Sequence, residues 1–394
     1  MRWTQKQFYL STFEAIRNNQ GDYDRLLKAT AESGIDLVEL VFKDRKTVTD
    51  ILPHFRGTGL KAVVQDRVIG GIGDEFARPD EAAVRETLAH YQPYDDVIAG
   101  YYLWDEPVQE AFCVCYENRE LMETCVPEKI LLFNIFPSYG VYGWDAAAYN
   151  WKDNSYTRYV DEFLSTVKPA VLMMDHYPYR PAPCTLHRSD IWRDVGYCSV
   201  SAHRQNIPFW FYFEGVDMST GDLGKLTPAH VAAQMFGALA YGAKALSWFC
   251  SMGILTDIEG NRLPNFNVFR DLNLRVKRLG SYLFPFTLNA LTHTDLDAEE
   301  NAHYFAATPD ALQGVDQLPV GVIAALFTNT TGVRSLLLVN KDTTAACAGQ
   351  IKLSRPAQVA AFDLAEGCLL PAQKAQAWEV TLMPGEGELW EFRQ

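Results

Sequence analysis

The sequence predicts an α/β chain: a (β/α)8 TIM barrel followed by a small C-terminal antiparallel β-sandwich. Three observations lead there. Short β-branched and aromatic runs alternate with helical patterns eight times in roughly 280 residues, the size of such a barrel. The run Val97–Pro107, VIAGYYLWDEP, is too short and too β-branched for a helix and ends on two adjacent carboxylates. After Phe284-Pro285 helical patterns nearly vanish, and short strands separated by turn residues take over.

Phe8–Ser11 reads as the first strand. Asp22 opens a helix through Leu26, Leu27, Thr30 and Ala31, and Gly34 closes it. Ile35–Phe42 is the second strand, with Glu39 inside it, and Leu60–Val64 is the third, leading into Asp66. Gly70-Gly71-Ile72-Gly73 lacks the strand–helix spacing of a dinucleotide fingerprint and reads as a loop at the mouth of the barrel. A helix over Asp80–Tyr91 leads to the fourth strand, which starts at Val97 and ends in Asp105 and Glu106. There Asp105 precedes Pro107 and a helical pattern through Val108, Phe112, Cys115 and Met122, so Asp105 is expected to act partly as a helix cap while Glu106 reaches the cleft.

Lys129–Ile135 is the fifth strand and Ala170–Met174 the sixth, each followed by a helix, over Tyr156–Thr166 and Arg188–Gln205. Pro208–Phe213 is the seventh strand, with Glu214 at its end. Thr227 caps the next helix with Pro228 in its first turn, Gly242 closes it, and Lys244–Phe249 is the eighth strand. Beyond the boundary, placed at 285/286, the expected strands are His303–Ala307, Val320–Thr328, Ser335–Asn340, Gln350–Leu353, Gln358–Asp363, Trp378–Leu382 and Gly387–Phe392. The barrel is thus expected over 1–285 and the sandwich over 286–394.

Composition narrows the class. The chain has 394 residues, 48% of them hydrophobic, so a large core is available. Its net charge of −14, with no basic run, argues against nucleic acid or an anionic membrane surface as partner. No run of about 18 apolar residues exists to span a bilayer, and the start, MRWTQKQFYLS, lacks the apolar segment of a secretory signal. The eight cysteines show neither CxxC nor zinc-site spacing, which suits free, mostly buried thiols in a reducing cytoplasm. A homo-oligomer is left open.

In a barrel of this kind the C-terminal strand ends face the site. They carry Glu39, Asp66, Glu106, Asn134, Asp175, His176, Tyr177, Glu214 and Trp248. Glu106 and Glu214, on the fourth and seventh strands, stand out, because glycoside hydrolysis needs two carboxylates across one sugar. Aromatic side chains stack on sugar faces, and Trp104, Trp144, Trp210, Tyr212 and Trp248 are available. Asp175 and His176 suit a supporting polar pair. Glu39, Asp66, Asp175 and His176 have no fixed metal-ligand spacing, so neither a metal nor any other cofactor is expected.

With these residues the chain resembles clan A of the retaining glycoside hydrolases. The resemblance implies Glu106 as acid/base, Glu214 as nucleophile, Tyr177 near the nucleophile and Trp248 as the aromatic of strand eight. The run Gln234–Ala243, QMFGALAYGA, before a Trp-containing strand resembles family 42 type β-galactosidases, and Leu382–Phe392, LMPGEGELWEF, is similar to the last hairpin of sandwich domains attached to such barrels. One position departs from the pattern: Asp105 stands where the clan carries the Asn that contacts the sugar 2-hydroxyl. Asp accepts where Asn also donates, and it sets a second negative charge beside Glu106, which favours the protonated acid. The expectation is a retaining exo-β-glycosidase for small oligosaccharides or glycosides, a galactoside or glucoside first. In it Trp104, Asp105, Asn134, Asp175, His176, Tyr177 and Trp248 surround the sugar. The alternatives are a catalytically silent carbohydrate-binding barrel and a metal-dependent barrel hydrolase or isomerase.

Overall fold

The computed structural model describes residues 2–13, 22–72, 77–141, 155–179, 190–215, 226–302, 312 and 314–393. Eight strands form the first sheet: β1 (Tyr9–Phe13), β2 (Leu37–Leu40), β3 (Lys61–Val64), β4 (Ile98–Asp105), β5 (Ile130–Ile135), β6 (Leu172–His176), β7 (Phe209–Glu214) and β8 (Ala245–Phe249). Each pairs in parallel with its sequence neighbours, and β1 pairs with β8, so the sheet closes into a barrel. A two-residue strand at Gly71–Ile72 adds to the end of β4.

Eight helices follow the strands: α1 (Tyr23–Glu32), α2 (Arg45–Ile51), α3 (Glu81–Tyr91), α4 (Phe112–Cys125), α5 (Ser155–Val167), α6 (Asp190–Arg204), α7 (Pro228–Ala240) and α8 (Phe266–Leu283). The local signals explain their ends. Asp22 caps α1 by accepting from the Arg25 amide at 3.0 Å, and Asp80 does the same for α3 at the Ala83 amide. Thr227 and His230 cap α7 reciprocally behind Pro228. Asp105 caps nothing: α4 begins at Phe112, well past Pro107, and its first residues carry no side-chain cap.

Period two assigns the strand residues to layers. Leu37, Val63, Tyr102, Leu132, Met173, Trp210, Tyr212 and Ala245 fill the barrel. Leu40, Val64, Leu172, Phe211 and Leu246 face the helices.

The second sheet begins just after α8. Its strands are β9 (Thr287–His293), β10 (Val315–Gln317), β11 (Val322–Thr328), β12 (Arg334–Asn340), β13 (Cys347–Asp363), β14 (Cys368–Leu369), β15 (Gln373–Leu382) and β16 (Gly387–Arg393), all antiparallel in their pairings. The two strands expected at Gln350–Leu353 and Gln358–Asp363 are one long strand. β13 pairs with β15 over Cys347–Lys352 and again over Ala357–Val359, its register breaking between Lys352 and Ala357, and with β16 over Gln358–Ala361. Pro356 lies in that break, where a residue without an N–H costs no ladder bond. The strand thus carries one curled sheet into two layers that enclose Ala324, Leu338, Ile351, Val380 and Trp390. The strand expected at His303–Ala307 lies outside the described residues.

The other face of β11, β12 and β16 is covered as well. Ile323, Phe327, Leu337 and Leu389 join the core that surrounds the barrel, which is why VIAALFT and SLLLVN read as continuous apolar runs rather than as alternating ones. Gly385 approaches so closely that a Cβ there would meet the Ala229 carbonyl of α7 at 2.1 Å. Arg275 of α8 holds Glu386 through two bonds of 2.8 and 2.9 Å, and the Tyr282 hydroxyl donates to Glu391 at 2.5 Å. Among the described residues no helix is long and apolar enough to cross a membrane, and none of the seven described cysteines is in a disulfide. Only Cys115 and Cys198 are buried, however, and Cys113 and Cys368 are exposed, so the expectation of mostly buried thiols does not hold.

Candidate active site

Strand four is not regular where it matters. Between Tyr102 and Trp104 its register against β5 slips by one residue. Strict alternation from Tyr102, which faces inward, would turn Trp104 inward and Asp105 outward. The extra residue reverses both, as bulges do. Trp104 joins the helix-side core, its ring closing on Gly71, where a Cβ would come within 2.5 Å. Asp105 turns into the barrel mouth, where the Tyr102 hydroxyl donates to its Oδ1 at 2.8 Å.

Glu106 follows with φ of 50°, the left-handed region that L-residues enter at a cost of about 1–2 kcal/mol. Two contacts hold it there. Its N–H donates to the Asn134 carbonyl at 2.8 Å, and the Tyr159 hydroxyl of α5 donates to the Pro107 carbonyl at 2.8 Å. The side chain remains half-buried at the mouth.

Asn134 and Asp175 come from the inward faces of β5 and β6. The Asn134 side-chain NH2 serves two carboxylates, Asp175 at 3.0 Å and Asp105 at 3.3 Å. Both aspartates are pushed well above the ordinary carboxylate range, burial being the main cause. The Asn134 bonds act against the shift, and the charge of Asp105 adds to it at Asp175. Tyr177, two residues on and on the same face, lies within electrostatic reach of Asp175, Glu106 and Asp105. His176 points the other way, toward the helices, with Nε2 3.8 Å from Asp194 of α6 and its ring edge-on to Tyr139.

Glu214 ends β7 on the inward face, in line with Trp210 and Tyr212, and is fully buried. Its Oε2 accepts the backbone N–H of Tyr179, in the loop after β6, at 2.9 Å. Gln234 of α7 pins the Glu214 backbone from behind, accepting its N–H at 2.8 Å and donating to its carbonyl at 3.2 Å.

Trp248 is fully buried and faces the helices, donating to Asn273 of α8 at 3.1 Å between Phe213 and Phe269. Its neighbour Phe249 takes the strand-end position instead. Phe249 stacks on Tyr177 at 4.8 Å and touches Phe13, which in turn meets Phe42, a residue 49% exposed at the end of β2. The aromatic wall is therefore made of phenylalanines and a tyrosine. Its signal was the period of β8: Ser247 faces the barrel interior, so Phe249 must, and Trp248 cannot. Trp210 sits deep in the barrel, donating to Gln5 at 2.8 Å, and Trp144 lies outside the described residues.

Asp66 is engaged elsewhere, by Arg45 through two bonds of 2.8 and 3.1 Å and by Tyr91 at 3.0 Å. Glu39 is inside the barrel, fully buried among the Ser11, Ser247 and Tyr212 hydroxyls. No group of three or more His, Cys, Asp or Glu among the described residues is placed to hold a metal ion.

No family model matches the chain, and no curated protein matches it in sequence. Solved structures do match in fold. A Bacteroides fragilis protein provisionally described as an α-galactosidase aligns over 98% of this chain and 79% of its own, with 9% identity and a TM-score of 0.57. A GH27 β-L-arabinopyranosidase from Geobacillus stearothermophilus aligns over 99% and 97%, with 9% identity and a TM-score of 0.54. An α-galactosidase from Saccharomyces cerevisiae aligns over 98% and 97%, with 8% identity and a TM-score of 0.53. At such identities the likeness is one of fold.

Proposed function

We propose that this chain is a retaining glycoside hydrolase for small oligosaccharides or glycosides, with Glu106 as acid/base and Glu214 as nucleophile. The observation that carries the reading is the pair of strand-end glutamates. Glu106 sits in left-handed backbone held by Asn134 and Tyr159. Glu214 is buried and oriented by the Tyr179 amide. A strained position stabilised on both sides is the kind of arrangement that binding sites retain. The fold shared with proteins named as glycosidases agrees with it. Asp105, Asn134, Asp175 and Tyr177 line the sugar, with His176 steadying Tyr139 behind them. The resemblance to family 42 type enzymes makes an exo-acting β-galactosidase or β-glucosidase the first substrate guess. The barrel takes residues 1–285 and the sandwich 286–394, and the reaction takes place without a cofactor.

The chemistry assigns each glutamate a separate signature. Glu214→Ala prevents the covalent intermediate, so azide attacks the substrate itself and the product has inverted configuration. Glu106→Ala keeps the nucleophile, so an aryl glycoside with a good leaving group still forms the intermediate, and azide gives a product of retained configuration. A panel of nitrophenyl glycosides identifies the sugar first. Exchanged stereochemistries would reverse the roles, and near-normal activity in both variants would remove the site.

A second reading rests on the other carboxylate pair. Asp105 and Asp175 share one amide donor and are both shifted toward protonation, and two neighbouring carboxyls of this kind are able to divide acid and nucleophile between them. It is supported if azide products form with Asp105→Ala or Asp175→Ala and not with the glutamate variants.

A further inference from the structure

A second hollow lies behind the cleft. A cavity of about 450 Å3 separates α6 and α7 from the second sheet, with Trp192 and Gln234 on the barrel side and Asp295, Lys341 and Asp342 on the other. Its size is within the range of small-molecule sites, which favour the boundary between two domains. Neither Glu106 nor Glu214 is among the described residues that line it.

The barrel side offers a flat apolar wall. The Trp192 ring lies against α7 at Gly237, where a Cβ would come within 2.0 Å of it, and it stacks on Tyr241 with ring planes 2° apart. Gly237 thus leaves room for the indole, which stays half-buried at the cavity. The other side is ionic. Lys341 pairs with Asp295 and donates to Nδ1 of His293 at 3.4 Å. The ring proton of His293 then stands on Nε2, toward the Tyr241 hydroxyl at 2.8 Å. Burial, and then the Lys341 charge, hold His293 down at about 3, so it is neutral. Asp342 is fixed by the Thr344 and Ala345 amides at 2.7 and 3.0 Å. One ammonium therefore faces two carboxylates. The excess negative charge disfavours an anion, and the ammonium among the carboxylates works against a small cation. What suits these walls is a neutral molecule with one apolar face and a rim of hydroxyls, since a hydroxyl both accepts from Lys341 and donates to a carboxylate. A sugar ring has that form.

Two residues of the cavity also hold Glu214. Tyr179 lines it, and its N–H donates to Glu214 Oε2 at 2.9 Å. Gln234 lines it, and its amide holds the Glu214 N–H and carbonyl at 2.8 and 3.2 Å. We propose that this cavity binds a neutral mono- or disaccharide, and that its occupant steadies Glu214 through Tyr179 and Gln234. A bond from the Tyr179 amide favours the ionised carboxyl, so an occupant that holds Tyr179 in place raises turnover. Only this effect on turnover rests on the glycosidase reading; the binding does not.

The test uses the full-length protein with 5-fluorotryptophan in place of tryptophan. The fluorine resonance missing from Trp192→Phe is that of the cavity. Galactose, glucose and arabinose are titrated in turn. With at least one of them this resonance is expected to shift and saturate, and Lys341→Ala should weaken that binding about tenfold, the order of one lost charged hydrogen bond. Crystals grown with the same sugar locate it even if neither variant folds: sugar against Trp192 agrees with the proposal, and sugar only between Glu106 and Glu214 overturns it. No shift with any of the three sugars overturns it too, as does an affinity unchanged in Lys341→Ala. With a saturating aryl glycoside, the bound sugar should raise kcat of the native protein about fivefold, a common size of coupling between sites. In Lys341→Ala the rise needs about ten times more sugar. Binding in the cavity with kcat unchanged overturns the link to Glu214. Binding there in a protein that hydrolyses no glycoside supports the site and refutes the proposed function alone.

Discussion

Asn134 donates to Asp175 at 3.0 Å through the same nitrogen that reaches Asp105 at 3.3 Å. One neutral amide therefore stands between two carboxyls, the buried Asp175 and the half-buried Asp105. It keeps them apart and supplies the donor that makes ionisation of either tolerable.

The pH dependence of this bridge has a definite sign. Both aspartates are raised, so the folded chain binds their protons more tightly than the unfolded chain. The stability they allow is fully present below about pH 4, the ordinary aspartate value. It is lost as pH climbs through the raised values. Asn134→Leu removes the shared donor, and its cost is expected to be about 2–3 kcal/mol at pH 8, where charge must be carried. At about pH 5, where both groups hold protons, the cost is clearly smaller. Urea midpoints at the two pH values measure the difference. An equal loss at both would show that Asn134 is not bridging charge.

Trp248 and its neighbour Phe249 separate packing from binding. Trp248→Ala opens a cavity in the helix-side core and leaves Asn273 without its indole donor, so a loss of about 3–5 kcal/mol is expected. Phe249→Ala, at the half-buried mouth against Tyr177, is expected to cost about 1 kcal/mol of stability or less. It should raise KM for a glycoside by about tenfold, the order of one lost ring contact. Thermal melts and steady-state kinetics of the two variants check this, and the reverse pattern would put Trp248 back in the cleft.

The second sheet is expected to be inseparable from the barrel. Ile323, Phe327, Leu337 and Leu389 share one core with the helices around the barrel, and Tyr282 stacks between Phe286 and Phe362. Ending the chain after residue 285 exposes that surface and should yield insoluble barrel. A soluble, fully active product would show the sandwich to be an independent module.

Much of this molecule is decided locally and is readable as sequence. Period-two runs of β-branched and aromatic residues, punctuated by Asp22, Gly34, Asp80, Thr227-Pro228 and Gly242, determine eight strand–helix units, because caps and turns act within a few residues. Once strands and helices alternate, strand ends meet at one mouth, so Glu106, Asp175 and Glu214 were nameable in advance. The facing of side chains is another matter, since it depends on register between strands distant in the chain. The slip between Tyr102 and Trp104 exists only against β5, yet it turns Asp105 inward, removes Trp104 from the cleft and places Glu106 in left-handed backbone. The Asn134 bridge, the Tyr212–Glu39 bond and the Tyr102–Asp105 bond join residues from five different strands. Only closure of the barrel brings these groups within hydrogen-bonding distance, and only burial inside it makes their protons hard to remove.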